Sequence, residues 1–309
     1  MIFYKNFTCL LLLLISFFAT KSLSFNLEEV QNGIYVHFGH QEDTNKINKG
    51  DIANIGFVVG DKSILVIDTG GTPRIGQALY NKIKEISDLP ISHIVITHSH
   101  PDHYFGTNIF INELIDIVVV GHKKLQRSLD ANFEFYKNLQ LVSTRDKSVK
   151  EFNNFKITKF VDVNKNLNVD LGNRIIEIQA WSSGHTDNDL SIIDKKTKTL
   201  WTENIFIKRT PSIRASVKGW KKNLKETSKL DVNLIIPGHG PIKKKNEALR
   251  PMLSYFDRLL DNTRKFHKKN TSLSEAIENF PKENKENWLL YNIYHPSNIT
   301  KVYTELEWE

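Results

Sequence analysis

His98-Ser99-His100-Pro101-Asp102-His103 places four metal-capable side chains within six residues, directly behind a strand-like run. Ile94-Val95-Ile96, inside Ile91 to Thr97 and bounded by Pro90, is too short for a helix and fits an interior strand. His98 and His100 are two apart, so in extended backbone both imidazoles point to one side, and Pro101 biases His100 further toward that geometry. Two neutral imidazoles on one side suit zinc. Past the proline, Tyr104, Phe105, Thr107, Asn108 and Phe110 predict a helix over Asp102 to Phe110. The chain must turn at Asp102-His103 to enter it, which lets this pair face a second metal. A histidine cluster can also be a solvated loop, but three histidines and an aspartate in this order read as half of a two-metal site.

The other ligands come from farther along the chain. Gly184-His185-Thr186 follows a predicted strand at Ile175 to Ala180, and Pro237-Gly238-His239-Gly240 follows one at Asn233 to Ile236. Glycine beside each histidine lets the backbone turn sharply and bring the imidazole close to an ion. With the hexapeptide they complete a six-ligand set, matching the need of a dinuclear site for about three protein ligands per metal at a spacing of roughly 3.5–4 Å.

Around these motifs the pattern is α+β. Strands are predicted at Gly33 to Phe38, Ile52 to Val59 and Ser63 to Asp68, the last two joined by a Gly60-Asp61 turn. A helix over Thr72 to Glu85 is entered through Asp68-Thr69-Gly70-Gly71. A strand at Ile115 to Val120 closes the first set. The second set has strands at Phe155 to Val161, Ile175 to Ala180, Leu190 to Ile193, Thr199 to Thr202 and Asn233 to Ile236, with a helix at Ser216 to Ser228. These predict one domain over residues 25–245, two mixed sheets face to face with helices outside. Residues 246–309 predict a helical extension whose stripe of Leu249, Met252, Leu253, Phe256, Leu259 and Leu260 packs on that domain.

At 309 residues the chain can bury a full core. Lys5 precedes an apolar run from Phe7 to Ala19, and Ser22-Leu23-Ser24 supplies the small residues a signal peptidase reads. Residues 1–24 are therefore expected to be a secretory signal and the mature protein periplasmic. The run falls short of the roughly 20 residues that span a bilayer. No stable membrane insertion is expected once the signal is cleaved; a retained anchor is the alternative. The single cysteine, Cys9, lies in that run, so the mature chain excludes disulfides and thiolate ligands. The net charge of +7 falls to +5 without Lys5 and Lys21, and Lys243-Lys244-Lys245 reads as a solvated turn, so no nucleic-acid partner is expected.

Asp68 to Gly71, His98 to His103, Gly184 to Thr186 and Pro237 to Gly240, in that order, resemble the metallo-β-lactamase superfamily, over about Asn32 to Lys243. More narrowly, Gly50 to Phe57, His185 to Leu190, Gly219-Trp220 and the terminal Glu305 to Glu309 look like the quinoprotein relay system zinc metallohydrolases. The resemblance implies a metallo-β-lactamase-like αββα sandwich. It implies two zinc ions, one on His98, His100 and His185, the other on Asp102, His103 and His239, with Asp68 supporting the ligand loop by hydrogen bonding. It also implies association with a quinoprotein dehydrogenase system. The departure is at the bridging position, where the superfamily has an aspartate: aligned without a gap, Glu203 falls there, its carboxylate about 1.5 Å farther out. A one-residue gap would put Asn204 there, a poor bridge.

The implied activity is hydrolysis. A metal pair lowers the pKa of a water from 15.7 toward about 7 and presents hydroxide to a small ester, lactone, thioester or amide. Asp102 would orient that nucleophile or pass a proton. Three other readings share the ligand set: a β-lactamase, a redox protein holding iron, and a non-catalytic or mononuclear metal-binding accessory protein. His122 is expected to cap or fill the core, His37, His40, His93, His267 and His295 to be structural, and Trp181, Trp201, Trp220, Phe133 and Tyr136 to be core.

Overall fold

β-Strands of alternating inward and outward apolar residues pair into two mixed sheets. The computed structural model describes residues 25–281 and 287–309; the signal expected over 1–24 lies outside the described residues. The first sheet runs in chain order through β1 (Glu28–Gln31), β2 (Ile34–His37), β3 (Ile55–Val59), β4 (Ile64–Ile67), β5 (Ile91–Val95), β6 (Val118–His122) and β7 (Lys159–Val161). It is antiparallel up to β4 and parallel beyond it. The second is built from β8 (Leu167–Asp170), β9 (Ile175–Ala180), β10 (Leu190–Asp194), β11 (Thr199–Phe206), β12 (Leu234–His239) and β13 (Lys243–Lys244), with β11 and β12 parallel and the other neighbours antiparallel. Parallel neighbours need crossovers. These are α1 (Pro73–Ile86), the pair α2 (Pro101–Tyr104) and α3 (Thr107–Glu113), α4 (Leu125–Thr144), and α5 (Val217–Lys229).

Strand β4 shows why the layers stack as they do. Leu65 and Ile67 point into the core between the sheets, with Val95, Ile178, Ile192 and Trp201, while Ile64 and Val66 point outward to meet α1 through Leu79 and Ile83. Both faces are buried, as a strand covered by sheet and helix requires. A third core packs Leu200 and Ile235 of the second sheet against Trp220 and Leu224 of α5 and Met252 and Phe256 of α6 (Lys245–Lys268). The result is the expected sandwich of two mixed sheets with outer helices. Each side chain so buried contributes about 1.5–3 kcal/mol.

Several boundaries differ from expectation. The single helix expected over Asp102 to Phe110 is two, broken at Gly106, where a Cβ would sit 2.1 Å from the Thr69 carbonyl and 2.6 Å from the Gly76 Cα of α1. That approach requires the glycine, and the backbone at Phe105 and Gly106 flattens to ψ −7° and −5°, which interrupts the α-helix. Strand β11 runs four residues past Thr202, and the short strand at Phe155 narrows to Lys159–Val161. Helix α4 was not expected at all, nor were the short strands β1, β8 and β13.

In the tail, Leu249, Met252, Phe256, Leu259 and Leu260 are buried and Leu253 partly so. Helix α7 (Leu273–Glu278) is followed by α8 (Tyr291–Leu306). Asn298 of α8 accepts from the Ile213 N–H at 3.0 Å and donates to the Pro211 carbonyl at 2.6 Å. Glu305 caps α5, accepting from Ser216 Oγ at 2.6 Å, Val217 N at 2.7 Å and Lys218 N at 3.2 Å. A carboxylate on three donors at a helix N-terminus favours the fold both by hydrogen bonding and by complementing the helix dipole. Glu305→Ala should therefore lower stability by about 1–3 kcal/mol in urea denaturation, with Glu305→Gln in between; wild-type stability for both would contradict the capping role.

Candidate metal centre

The centre forms where strands of both sheets end. Asp68, at the end of β4, takes a left-handed backbone (φ 54°) that turns its buried carboxylate under the next strand end. There it accepts from Thr97 N at 2.8 Å, Thr97 Oγ1 at 2.7 Å and His103 Nδ1 at 2.7 Å. His98 follows β5, His100 precedes α2, and Asp102 and His103 lie in its first turn. His185 sits in the loop after β9, Glu203 lies in β11, and His239 ends β12.

All seven side chains expected at the site come together, in three overlapping groups whose ligand atoms lie within 4.8 Å of one another: His98, His100 and His185; His98, His103 and Glu203; Asp102, His103 and His239. His98 Nε2 and His185 Nε2 stand 2.9 and 3.0 Å from His100 Nδ1. Asp102 Oδ2 is 3.3 Å from His103 Nε2 and 3.5 Å from His239 Nε2, and Glu203 Oε2 is 3.4 Å from His103 Nε2. Glu203 thus joins one histidine from each expected trio. Asn204, the alternative at this position, turns its side chain to Gly184 instead, where a Cβ would be 3.5 Å from its Oδ1.

Hydrogen bonds outside the cluster fix the tautomers. His185 Nδ1 donates to the Ser212 carbonyl, His239 Nδ1 to the Ile52 carbonyl, both at 2.8 Å, and His103 Nδ1 to Asp68. Thr97 Oγ1, whose proton goes to Asp68, accepts from His98 Nδ1 at 3.2 Å. His98, His103, His185 and His239 therefore turn Nε2 inward, and His100 turns Nδ1 inward, the arrangement that outer partners impose on metal-bound histidine. Lone pairs about 3 Å apart repel unless a cation lies between them; ligands 2.0–2.1 Å from a tetrahedral ion are about 3.3 Å apart. His103 Nε2 and both Glu203 carboxylate oxygens are buried without a hydrogen-bond partner. Nitrogen and carboxylate donors with no thiolate, left unsatisfied by the protein, fit a pair of divalent ions of the zinc or iron type.

Burial is the main electrostatic force on the site. It holds His98, His185 and His239 well below the usual imidazole range and His100 down to about 3. It pushes the Glu203 carboxyl up. For His103, burial is outweighed by the carboxylates of Glu203, Asp102 and Asp68, which raise it. For Asp102, burial is outweighed by His103, His239 and His100, which hold the carboxylate low.

His100, Asp102 and His239 open onto a cavity of about 320 Å³. Its far wall holds residues that no motif announced: Asp43, Arg209, Arg214 and Tyr294. Arg209 is buried, pairing with Asp43 Oδ1 at 3.0 Å and donating to Tyr294 Oη at 3.0 Å, and Tyr294 donates to the same carboxylate oxygen. Tyr136, expected in the core, lines the cavity half-buried because it projects from the unexpected α4. Trp181, Trp201 and Trp220 are buried, and Phe133 partly so. His122 Nδ1 accepts from Lys124 N, closing a turn.

With fold and site described, kinship is clear. The family model of the metallo-beta-lactamase superfamily matches residues 48–239, and the chain belongs to that superfamily of metal-dependent hydrolases. The linear primary-alkylsulfatase of Pseudomonas sp. (strain ATCC 19151) is 36% identical over 57 residues, covering 18% of this chain and 11% of its own. A beta-lactamase-like protein 2 homolog from Caenorhabditis elegans is 24% identical over 186 residues, covering 59% of this chain and 54% of its own. Among solved structures, the stereoselective inverting sec-alkylsulfatase of Pseudomonas sp. superposes with a TM-score of 0.69 at 18% identity, over 92% of this chain and 50% of its own. The chain thus spans from about a tenth to about half of these relatives, and the last likeness bears on the fold.

Two outcomes are expected. A Cβ on Gly238 would lie 1.8 Å from Glu203 Oε2, so Gly238→Ala should lower metal content by elemental analysis. Adding Glu203→Asp, one methylene shorter, should restore it; a Gly238→Ala protein with full metal would refute the contact. Separately, His98, His100, His185 and His239 are depressed in the fold but titrate near 6.5 when unfolded. Below that pH the unfolded chain binds protons that the folded chain refuses, so metal-free stability, full above about 6.5, should fall as pH drops toward 3. Asp189, pushed up to about 7 by burial, and Glu203, also raised by burial, oppose this as two carboxyls against four imidazoles. A melting temperature of the metal-free protein that does not fall from pH 7 to 4 would contradict it.

Proposed function

We propose that the chain is an exported zinc-dependent hydrolase of a small ester, lactone, thioester or amide. The observation that carries this is the convergence of inward-facing imidazole lone pairs and a buried, unpartnered Glu203 carboxylate in a cluster whose His100, Asp102 and His239 line a small-molecule-sized cavity. His98, His100 and His185 would hold one zinc and Asp102, His103 and His239 the other, with Glu203 between them. Bound there, the ions would acidify water and polarise the scissile bond. Asp102, at the cavity wall, orients the attacking water and takes up or passes its proton. Tyr136, Arg209 and Tyr294 wall the cavity and restrict it to small groups.

The proposed narrower kinship, with the quinoprotein relay system metallohydrolases, is supported by where its motif residues lie. Asn54 Nδ2 donates to the Pro237 and Gly240 carbonyls at 2.8 Å, holding the His239 turn. Asp189 accepts from Thr186 N and Oγ1 beside His185. Trp220 packs on His185, their ring centroids 4.9 Å apart, and Glu305 caps α5. Residues from all four segments brace the centre. Export rests on the sequence of residues 1–24, and dehydrogenase association on the resemblance.

A second reading is hydrolysis of a sulfate ester. It is favoured by the arginines on the cavity wall and by the local sequence likeness to the linear primary-alkylsulfatase over 57 residues. The test is metal content of protein purified without chelators, together with turnover on esters, lactones, thioesters, nitrocefin and alkyl sulfates. Two zincs and acyl turnover are expected, both lost in His100→Ala and Asp102→Ala. Alkyl sulfate turnover alone would favour the second reading, nitrocefin turnover a β-lactamase, and full metal without any turnover an accessory protein.

A further inference from the structure

We propose that the substrate of this site is an anionic amphiphile: a small anionic group held by Arg214 and an apolar chain laid along α4. This rests on the reading of the cavity as a hydrolase site and narrows its substrate class. Two cations reach the cavity wall, but Arg209 is already neutralised by Asp43. Arg214 is exposed, and among the described residues its guanidinium has neither ion pair nor hydrogen bond. Its backbone N–H donates to the His185 carbonyl at 3.0 Å, which fixes its position beside the centre. An unpaired guanidinium at the mouth of a site recognises carboxylate, sulfate or phosphate.

The apolar half of the site lies on α4. Leu139 lines the cavity and is 43% exposed; Phe135, one turn before it, is 64% exposed, and Val142, one turn after, 74%. Residues three and four apart are neighbours on a helix, so these side chains form one exposed stripe along α4 that adjoins the cavity at Leu139. Single exposed apolar residues are ordinary, but a continuous patch adjoining a ligand cavity is not. The stripe is also held in place. Gln140 Nε2 donates to the Gly71 carbonyl at 2.6 Å, Asn188 Nδ2 to Ser128 Oγ at 3.2 Å, and Lys49 Nζ to the Thr144 carbonyl at 2.8 Å. A chain whose head sits at Arg214 would leave the cavity across Leu139.

The test is calorimetric binding to the metal-loaded mature chain of decanoate against acetate, decyl sulfate against methyl sulfate, and uncharged decyl maltoside, all below their micelle concentrations. One buried methylene is worth about fourfold in affinity, so even partial contact should make at least one decyl anion roughly tenfold tighter than its short counterpart. Arg214→Glu should weaken that decyl anion about tenfold, with Arg214→Lys recovering much of the loss, and leave decyl maltoside within about twofold. The double variant Phe135→Ser and Val142→Ser should weaken the decyl anion and not the short one. All substituted positions are exposed, and unchanged melting temperatures check folding. Equal affinity for long and short anions, or wild-type decyl anion binding in Arg214→Glu, would overturn the proposal. Since heat and not turnover is read, a protein that binds these amphiphiles but hydrolyses nothing would sink the hydrolase reading alone.

Discussion

The structure depends on the outer hydrogen bonds that decide which way each imidazole carries its proton. Asp68, Ser212 and Ile52 take the Nδ1 protons of His103, His185 and His239, leaving Nε2 lone pairs converged on one small volume. Such a cluster is self-repelling when empty and strongly binding when a cation enters. Asp68 also links the parts: its carboxylate binds the end of β5 through Thr97 and α2 through His103. The loop geometry that brings His98, His100, Asp102 and His103 together therefore hangs on one buried side chain in a left-handed conformation.

Glu203 is the clearest adaptation to that constraint. Its longer side chain enters space kept free by Gly238, which leaves room for the extra methylene on the neighbouring strand. A glutamate at this position is thus built into the packing of β11 and β12. Asn204, the next residue along β11, turns its side chain to Gly184 and leaves the position beside Gly238 to Glu203.

The sandwich and the meeting of the five histidines with Asp102 were legible because both rest on local patterns. Short apolar runs at Ile64 and Ile94, a capped amphipathic helix at Pro73, and histidines flanked by glycine at strand ends all announce themselves within a few residues. Helix α4 did not. Leu125, Leu129, Phe133 and Tyr136 face the core, but Phe135, Leu139 and Val142 are exposed on another side while Gln140 and Thr144 are buried, so the helix shows no single apolar face. Strand β11 is buried along all eight residues, so its polar Thr202, Glu203 and Asn204 read as a strand end when they lie in its buried middle. Arg209, Arg214 and Tyr294 carry no local signal; only the fold sets them opposite the histidines.

The change of sequence pattern near residue 245 is not an energetic boundary. The tail completes the core of the second sheet through Met252 and Phe256, and α8 contributes Tyr294 to the cavity wall. Glu305 caps α5 at Ser216, whose backbone N–H donates to the Gly184 carbonyl just before His185. Arg214 sits between those contacts, its own N–H on His185. One short path of hydrogen bonds therefore runs from the C-terminal helix to a candidate metal ligand and to the cation proposed to read the substrate. The loop carrying His185 is also tied to α5 through Ser182 and Asn223, which exchange bonds of 3.0 and 2.9 Å, so the helix that Glu305 caps is itself part of the support for that ligand.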